Sequence, residues 1–174
     1  IATLRRAWVV DTDTGREVFA VPADGSTAAL SKDGSKVVTG GYLGPLTLWD
    51  VRSGERLGTF GQAGFSSLAV QFSEDERTLV VIGSQGSGVL LYDIASGREQ
   101  LALRGHEAPV RGASLSRDGS RLASYAADGT VRVWELSPRG EVAGFELKPG
   151  AYTADGVDFA SGRATAYVFG GELR

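Results

Sequence analysis

Hydrophobic residues in this 174-residue chain come in short runs, cut at close intervals by turn residues. Lys36-Val37-Val38-Thr39, Thr78-Leu79-Val80-Val81-Ile82, Val89-Leu90-Leu91-Tyr92 and Thr130-Val131-Arg132-Val133-Trp134 are rich in β-branched and aromatic side chains, the composition of strands. Between such runs lie Lys32-Asp33-Gly34, Ser84-Gln85-Gly86-Ser87-Gly88, Arg117-Asp118-Gly119 and Ala127-Asp128-Gly129. Asp-Gly supplies the positive φ that tight hairpins demand. No stretch of about ten residues keeps a helical spacing free of Gly and Pro. The pattern predicts an all-β chain.

The runs also repeat. Leu46-Thr47-Leu48-Trp49-Asp50-Val51-Arg52-Ser53-Gly54 returns as Val89-Leu90-Leu91-Tyr92-Asp93-Ile94-Ala95-Ser96-Gly97 and as Val131-Arg132-Val133-Trp134-Glu135-Leu136. A weaker copy, Ala7-Trp8-Val9-Val10-Asp11-Thr12-Asp13-Thr14-Gly15, precedes them. The key position moves from Val10 to Trp49, Tyr92 and Trp134, in steps of 39, 43 and 42 residues. A period of about 40–45 residues built from short strands marks a propeller or solenoid. Each copy divides into four strands, a to d; in the clearest they are expected at Val110 to Leu115, Arg121 to Tyr125, Thr130 to Glu135 and Val142 to Leu147. Four-stranded antiparallel sheets repeated radially form β-propeller blades, each burying its faces against its neighbours. The expected division is strands c and d in 1–21, blades at 22–60, 61–103 and 104–147, and strands a and b in 148–174.

Arg104-Gly105-His106-Glu107-Ala108-Pro109-Val110, followed by Ser124, Asp128 and Trp134-Glu135, resembles a WD40 repeat. That family places Gly-His before strand a, Ser or Thr on strand b, Asp in the b–c turn and Trp-Asp at the end of strand c. The resemblance implies a hydrogen-bonded chain of His106, Ser124, Asp128 and Trp134, with Asp128 accepting from His106. Other copies depart from it. The first keeps Thr39 and Trp49-Asp50 but has Val21 near the His position and Leu43 at the turn Asp. The next has Gln62-Ala63 for Gly-His, Ile82 for Ser, Gly86 for the turn Asp and Tyr92-Asp93 for Trp-Asp. The resemblance also implies a non-enzymatic platform for protein partners, with d–a and b–c loops forming the binding face. On that face it places Gln62, Phe65, Glu107 and Arg111 near strand a, and Tyr42, Gln85 and Ala127 near the b–c turns.

Composition narrows the chemistry. A net charge of −3 with a pI near 5.2 argues against a dedicated nucleic-acid binder, which would show a basic face. With no Cys and one His, thiolate and multi-histidine metal sites are excluded, and no metal or cofactor is expected. No apolar run approaches a membrane span. Asp11-Thr12-Asp13-Thr14 imitates the nucleophile loop of haloacid-dehalogenase-like phosphatases, but no α/β pattern follows it. The glycines at 83–88 imitate a phosphate loop, which requires a helix directly afterwards; Val89-Leu90-Leu91-Tyr92 reads as another strand. His106, Ser124 and Asp128 contain the ingredients of a catalytic triad, which the implied structural chain already uses. The chain holds no Met and begins and stops at nearly the same point of the repeat. The expectation is a segment of a longer propeller; the alternative is self-closure, as four blades in one chain or eight in two, which would involve self-association. Two further readings of function remain at this point: a regulatory propeller fused to a bacterial kinase or signalling ATPase, and a small-ligand-binding propeller.

Overall fold

A computed structural model describes residues 6–22, 27–40, 44–62, 67–83, 88–136, 142–147, 156–160 and 163–167. These residues form strands and turns, with no helix among them. Strands β1 (Arg6–Val10) and β2 (Glu17–Pro22) make a two-stranded sheet. Three four-stranded antiparallel sheets follow, each with its strands in chain order. The first is β3 (Thr27–Leu30), β4 (Lys36–Gly40), β5 (Leu46–Asp50) and β6 (Arg56–Phe60). The second is β7 (Ser67–Phe72), β8 (Thr78–Gly83), β9 (Gly88–Asp93) and β10 (Glu99–Arg104). The third is β11 (Val110–Leu115), β12 (Arg121–Ala126), β13 (Val131–Leu136) and β14 (Val142–Leu147). A second two-stranded sheet, β15 (Gly156–Ala160) and β16 (Arg163–Tyr167), packs against β11 and β12. The all-β, blade-type architecture expected from the pattern is the one observed.

The sheets stack face to face, and β8 shows why its sequence is apolar at every position from Leu79 to Ile82. Leu79 and Val81 join Val38, Leu46, Leu48 and Phe60 of the preceding sheet in one core. Val80 and Ile82 turn the other way, into a core with Val110, Leu122, Ala126 and Trp134 of the following sheet. A strand buried on both faces loses the alternation of a half-exposed one. Each such side chain contributes roughly 1.5–3 kcal/mol when taken fully out of water.

Among the described residues, one end of the stack carries two kinds of turn, each built three times over. In the a–b turns the hydroxyls of Ser31, Ser73 and Ser116 donate to Asp33, Asp75 and Asp118 at 2.7, 2.6 and 2.7 Å. The same hydroxyls accept from the amides of Lys36, Thr78 and Arg121, each at 2.9 Å. The backbone NH of Ser35 and the hydroxyls of Ser31 and Ser35 hold Asp33 down at about 2. Asp118 is likewise held at about 2, by the Ser116 hydroxyl and then the NH and hydroxyl of Ser120. The residue after each Asp has positive φ: Gly34 at 71°, Gly119 at 71° and, unusually for a side chain, Glu76 at 55°.

In the c–d turns Asp11, Asp50 and Asp93 accept from the amides of Thr14, Ser53 and Ser96, each at 2.7 Å. Asp11 is therefore a turn cap in the same role as Asp50 and Asp93, and the resemblance of residues 11–14 to a nucleophile loop ends there. The two kinds of turn are joined where the amides of Val51, Ile94 and Leu136 reach the carbonyls of Ser35, Arg77 and Ser120.

Several expectations shift: strand b of the third sheet runs on to Ala126, and strand c ends at Leu136 rather than Glu135. Strand c of the third sheet starts at Val131 rather than Thr130, because the NH and hydroxyl of Thr130 both bind the Asp128 carboxylate and keep it in the turn. The residue of β8 equivalent to Ser124 is Val81, not Ile82: Ser124 lies opposite Arg132, and Val81 lies opposite Leu90 at the matching step of β9. Behind the glycines, β9 begins at Gly88, so a strand rather than a helix follows them.

Candidate functional site

At the opposite end of the third sheet, a polar chain crosses the strands among the described residues. Trp134, within β13, packs in one core with Val80 and Ile82 of β8, and its indole reaches β12. Its Nε1–H donates to Ser124 Oγ at 2.9 Å. Ser124 Oγ lies 2.8 Å from His106 Nε2. His106 Nδ1 lies 2.9 Å from Thr130 Oγ1 and 3.5 Å from Asp128 Oδ2. Thr130 Oγ1 donates to Asp128 Oδ1 at 2.6 Å. Since the indole can only donate and the carboxylate can only accept, proton direction follows along the chain. Ser124 accepts from Trp134 and donates to Nε2; Nδ1–H then donates to Thr130, whose hydroxyl donates to Asp128. This assigns the neutral Nδ1–H tautomer from the bonding pattern.

The structure thus gathers His106, Ser124, Asp128 and Trp134, and it adds Thr130, which the sequence pattern did not single out. Thr130, rather than Asp128, is the nearest partner of His106 Nδ1. Ser124 is closed to solvent, and His106 and Trp134 are buried. Burial would push the Asp128 carboxyl up, but the hydroxyl and NH of Thr130 and the NH of Glu107 outweigh it, holding the group at about 2. The Ser124 hydroxyl is engaged inside the sheet by both the Trp134 indole and the His106 ring. A nucleophile must reach a substrate, and this one does not.

The chain does mechanical work on the loops. Asp128 Oδ2 accepts from the Glu107 amide at 2.8 Å, and Ala127 N donates to Pro109 O at 3.0 Å. These two bonds tie the d–a connection to the b–c turn. Glu107, Arg111 and Ala127 all stand exposed around the tie. Arg111 points outward because a bulge between Val110 and Gly112 interrupts the register of β11 against β12. A bulge re-aims the side chain it displaces. The same irregularity falls between Ser67 and Ala69 in β7, and it leaves Leu68 50% exposed. Leu68 is a surface residue that the apolar pattern alone assigns to the strand's buried face; a bulge leaves no mark in a period-2 reading. Gln62 is exposed after β6. Tyr42, Phe65 and Gln85 lie outside the described residues. Among the described residues no three acidic or His side chains gather where they could hold a metal ion.

The first and second sheets carry less of this chain. Trp49 Nε1 donates to Thr39 Oγ1 at 3.0 Å, repeating one link. In the second sheet Tyr92 and Val81 replace indole and hydroxyl, and Tyr92 meets Phe60 edge-on at 5.9 Å between ring centres.

Comparison with known proteins points the same way. The family model described as WD domain, G-beta repeat matches residues 97–135, which contain the whole polar chain. Transcription factor unc-37 of Caenorhabditis elegans is 34% identical over 117 residues, 66% of this chain and 18% of that protein. WD repeat-containing protein SL1-17 of Schistosoma mansoni is 30% identical over 129 residues, 72% of this chain and 42% of that protein. Ribosome biogenesis protein WDR12 homolog of Caenorhabditis briggsae is 33% identical over 73 residues, 41% of this chain and 16% of that protein. The chain spans less than half the length of each.

Proposed function

We propose, for a chain that belongs to the WD40-repeat family, a non-catalytic role as a docking platform for a protein partner. The partner binds at the end of the sheets where the d–a and b–c connections meet, on Arg111, Glu107, Ala127 and the apolar Leu68. The observation that carries this reading is the pair of bonds from Asp128 to Glu107 and from Ala127 to Pro109. They hold exposed side chains of different character on a rigid support, which lowers the entropy lost when a partner binds. Arg is among the residue types enriched where interface energy concentrates. Function in such folds resides in side chains grafted on the scaffold rather than in the scaffold itself. The matching relatives carry names as unlike as transcription factor and ribosome biogenesis protein, in keeping with a reusable platform.

The experiment is a paired-variant binding measurement. A partner cross-linked to the full chain and identified is titrated against wild type, Arg111→Glu, Leu68→Asp and a control, Arg52→Glu, in a c–d turn at the opposite end. The expected result is a loss of at least tenfold for the first two and no change for the control. Equal affinity for Arg111→Glu, Leu68→Asp and wild type would overturn the proposed face.

A further inference from the structure

We infer that the opposite end of the stack, where the a–b turns lie, is a second docking surface, built for an extended peptide that carries an acidic residue about three residues from an apolar one. This inference does not depend on the face proposed above.

Two clefts of similar size open there, of about 320 and 350 Å³. They share one wall, formed by Gln71, Phe72, Ser73 and Glu74 at the end of β7. The far wall of the smaller is Ala29, Leu30 and Lys32; that of the larger is Leu115, Ser116, Arg117 and Phe159. The repeat has therefore produced the same cleft twice, one sheet apart, each with a cation at its rim and Phe72 on its wall.

The charges are not matched evenly. Glu74 is bound by Lys32 and stands 3.7 Å from Arg117 Nε. Lys32 first, through its hydrogen bond and its charge, then Arg117, lowers the Glu74 carboxyl, which keeps it ionised. One carboxylate thus serves two cations. The Arg117 side chain is 87% exposed, and among the described residues no hydrogen bond reaches its guanidinium. A guanidinium presents five donors in a fork that fits a carboxylate through two parallel bonds. The larger cleft accordingly suits an incoming Asp or Glu, with Phe159 and Leu115 against its methylenes. The smaller cleft already has its cation satisfied by Glu74. Its free surface is Leu30, which is 47% exposed, with Ala29 and Phe72, and this suits an apolar side chain.

Packed sheets lie about 10 Å apart and an extended chain advances about 3.3 Å per residue. A peptide crossing from one cleft to the next therefore covers about three residues. The surface is held in place beforehand. Glu76, on the turn below Glu74, accepts from the Asp33 amide at 3.2 Å and pairs with Lys36 at 3.5 Å. The turns of the first two sheets are clasped together before any ligand arrives.

The test selects displayed twelve-residue random peptides on the full chain, on Arg117→Glu and on Arg111→Glu. Far-UV circular dichroism and melting serve as folding controls. The expected wild-type pool is enriched in Asp or Glu about three positions from Leu, Ile or Phe. That enrichment persists on Arg111→Glu, falls at least tenfold on Arg117→Glu, and is replaced there by Lys or Arg at the acidic position. No such enrichment on wild type, or enrichment that survives Arg117→Glu, overturns the inference. Peptides lost on Arg111→Glu alone also overturn it, and they place the peptide on the face proposed above instead.

Discussion

The sheets β7–β10 and β11–β14 share a strand order, an a–b turn and a bulge near the start of strand a, yet they close the seam between strands b and c by different means. In the later sheet the seam is polar: Trp134, Ser124, His106, Thr130 and Asp128 form one chain. In the earlier one it is apolar, with Val81 under Tyr92 and Phe60 against both. Both seams are buried. The apolar one is sufficient to build a blade. The polar one adds directionality, because a hydrogen bond fixes position where packing only fills volume, and it runs on to the Glu107 amide. The first sheet stands between the two, with the single link from Trp49 to Thr39.

The comparison breaks most severely where the apolar seam is thinned. Leu79 is fully buried between two sheets, and Leu79→Ala is expected to lower stability by about 2–5 kcal/mol, measured by urea denaturation. A loss below about 1 kcal/mol would mean that the second sheet does not rest on its core. Next comes the polar seam. Asp128→Ala removes bonds to Thr130 and Glu107 and strands their donors, and about 1–3 kcal/mol is expected from the same measurement.

The pH dependence sharpens the point. Asp128 is held at about 2 when folded, below the value of about 3.9 for an unfolded Asp. Its contribution is present above about pH 4 and is lost as pH falls towards 2. Asp33 and Asp118, also held at about 2, titrate in the same window. The difference in melting temperature between wild type and Asp128→Asn therefore isolates the seam. That difference is expected to shrink on acidification from pH 5 to 2; a constant difference would detach Asp128 from the acid limb.

Smaller effects distinguish the turns that the two sheets share. Gly119 has φ of 71° and open space where a Cβ would stand, so Gly119→Ala tests backbone conformation alone. A loss of about 1–2 kcal/mol is expected. Glu76 occupies the matching position at φ 55° and offsets that conformation with its contacts to Asp33 and Lys36. Glu76→Gly removes strain and contacts together, and its net change is expected within about 1 kcal/mol of zero. Paired thermal melts of the two variants check both values.

Much of this was legible in the sequence because short-range chemistry writes it there. Asp33-Gly34 and Asp118-Gly119 announce their turns, and the recurrence of Trp49, Tyr92 and Trp134 sets the sheets in sequence. What escaped depends on register. Leu68 looks like a core residue until the bulge turns it outward. Val81 rather than Ile82 sits under Tyr92, because two adjacent β-branched residues in an all-apolar run cannot be told apart by pattern. Thr130 reads as the first residue of a strand, and only the fold shows its hydroxyl between His106 and Asp128. The clasp by Glu76 joins turns 43 residues apart and has no local signature.

Amide hydrogen exchange at Glu107 tests the central claim most directly, that the polar seam fixes the d–a connection against the b–c turn. In wild type the Glu107 and Ala127 amides are expected to be protected. In Asp128→Asn their exchange should accelerate at least tenfold, while the amides of Ser35 and Arg121 at the opposite end keep their wild-type rates. An unprotected Glu107 amide in wild type, or a uniform acceleration at both ends of the sheets, would contradict the account.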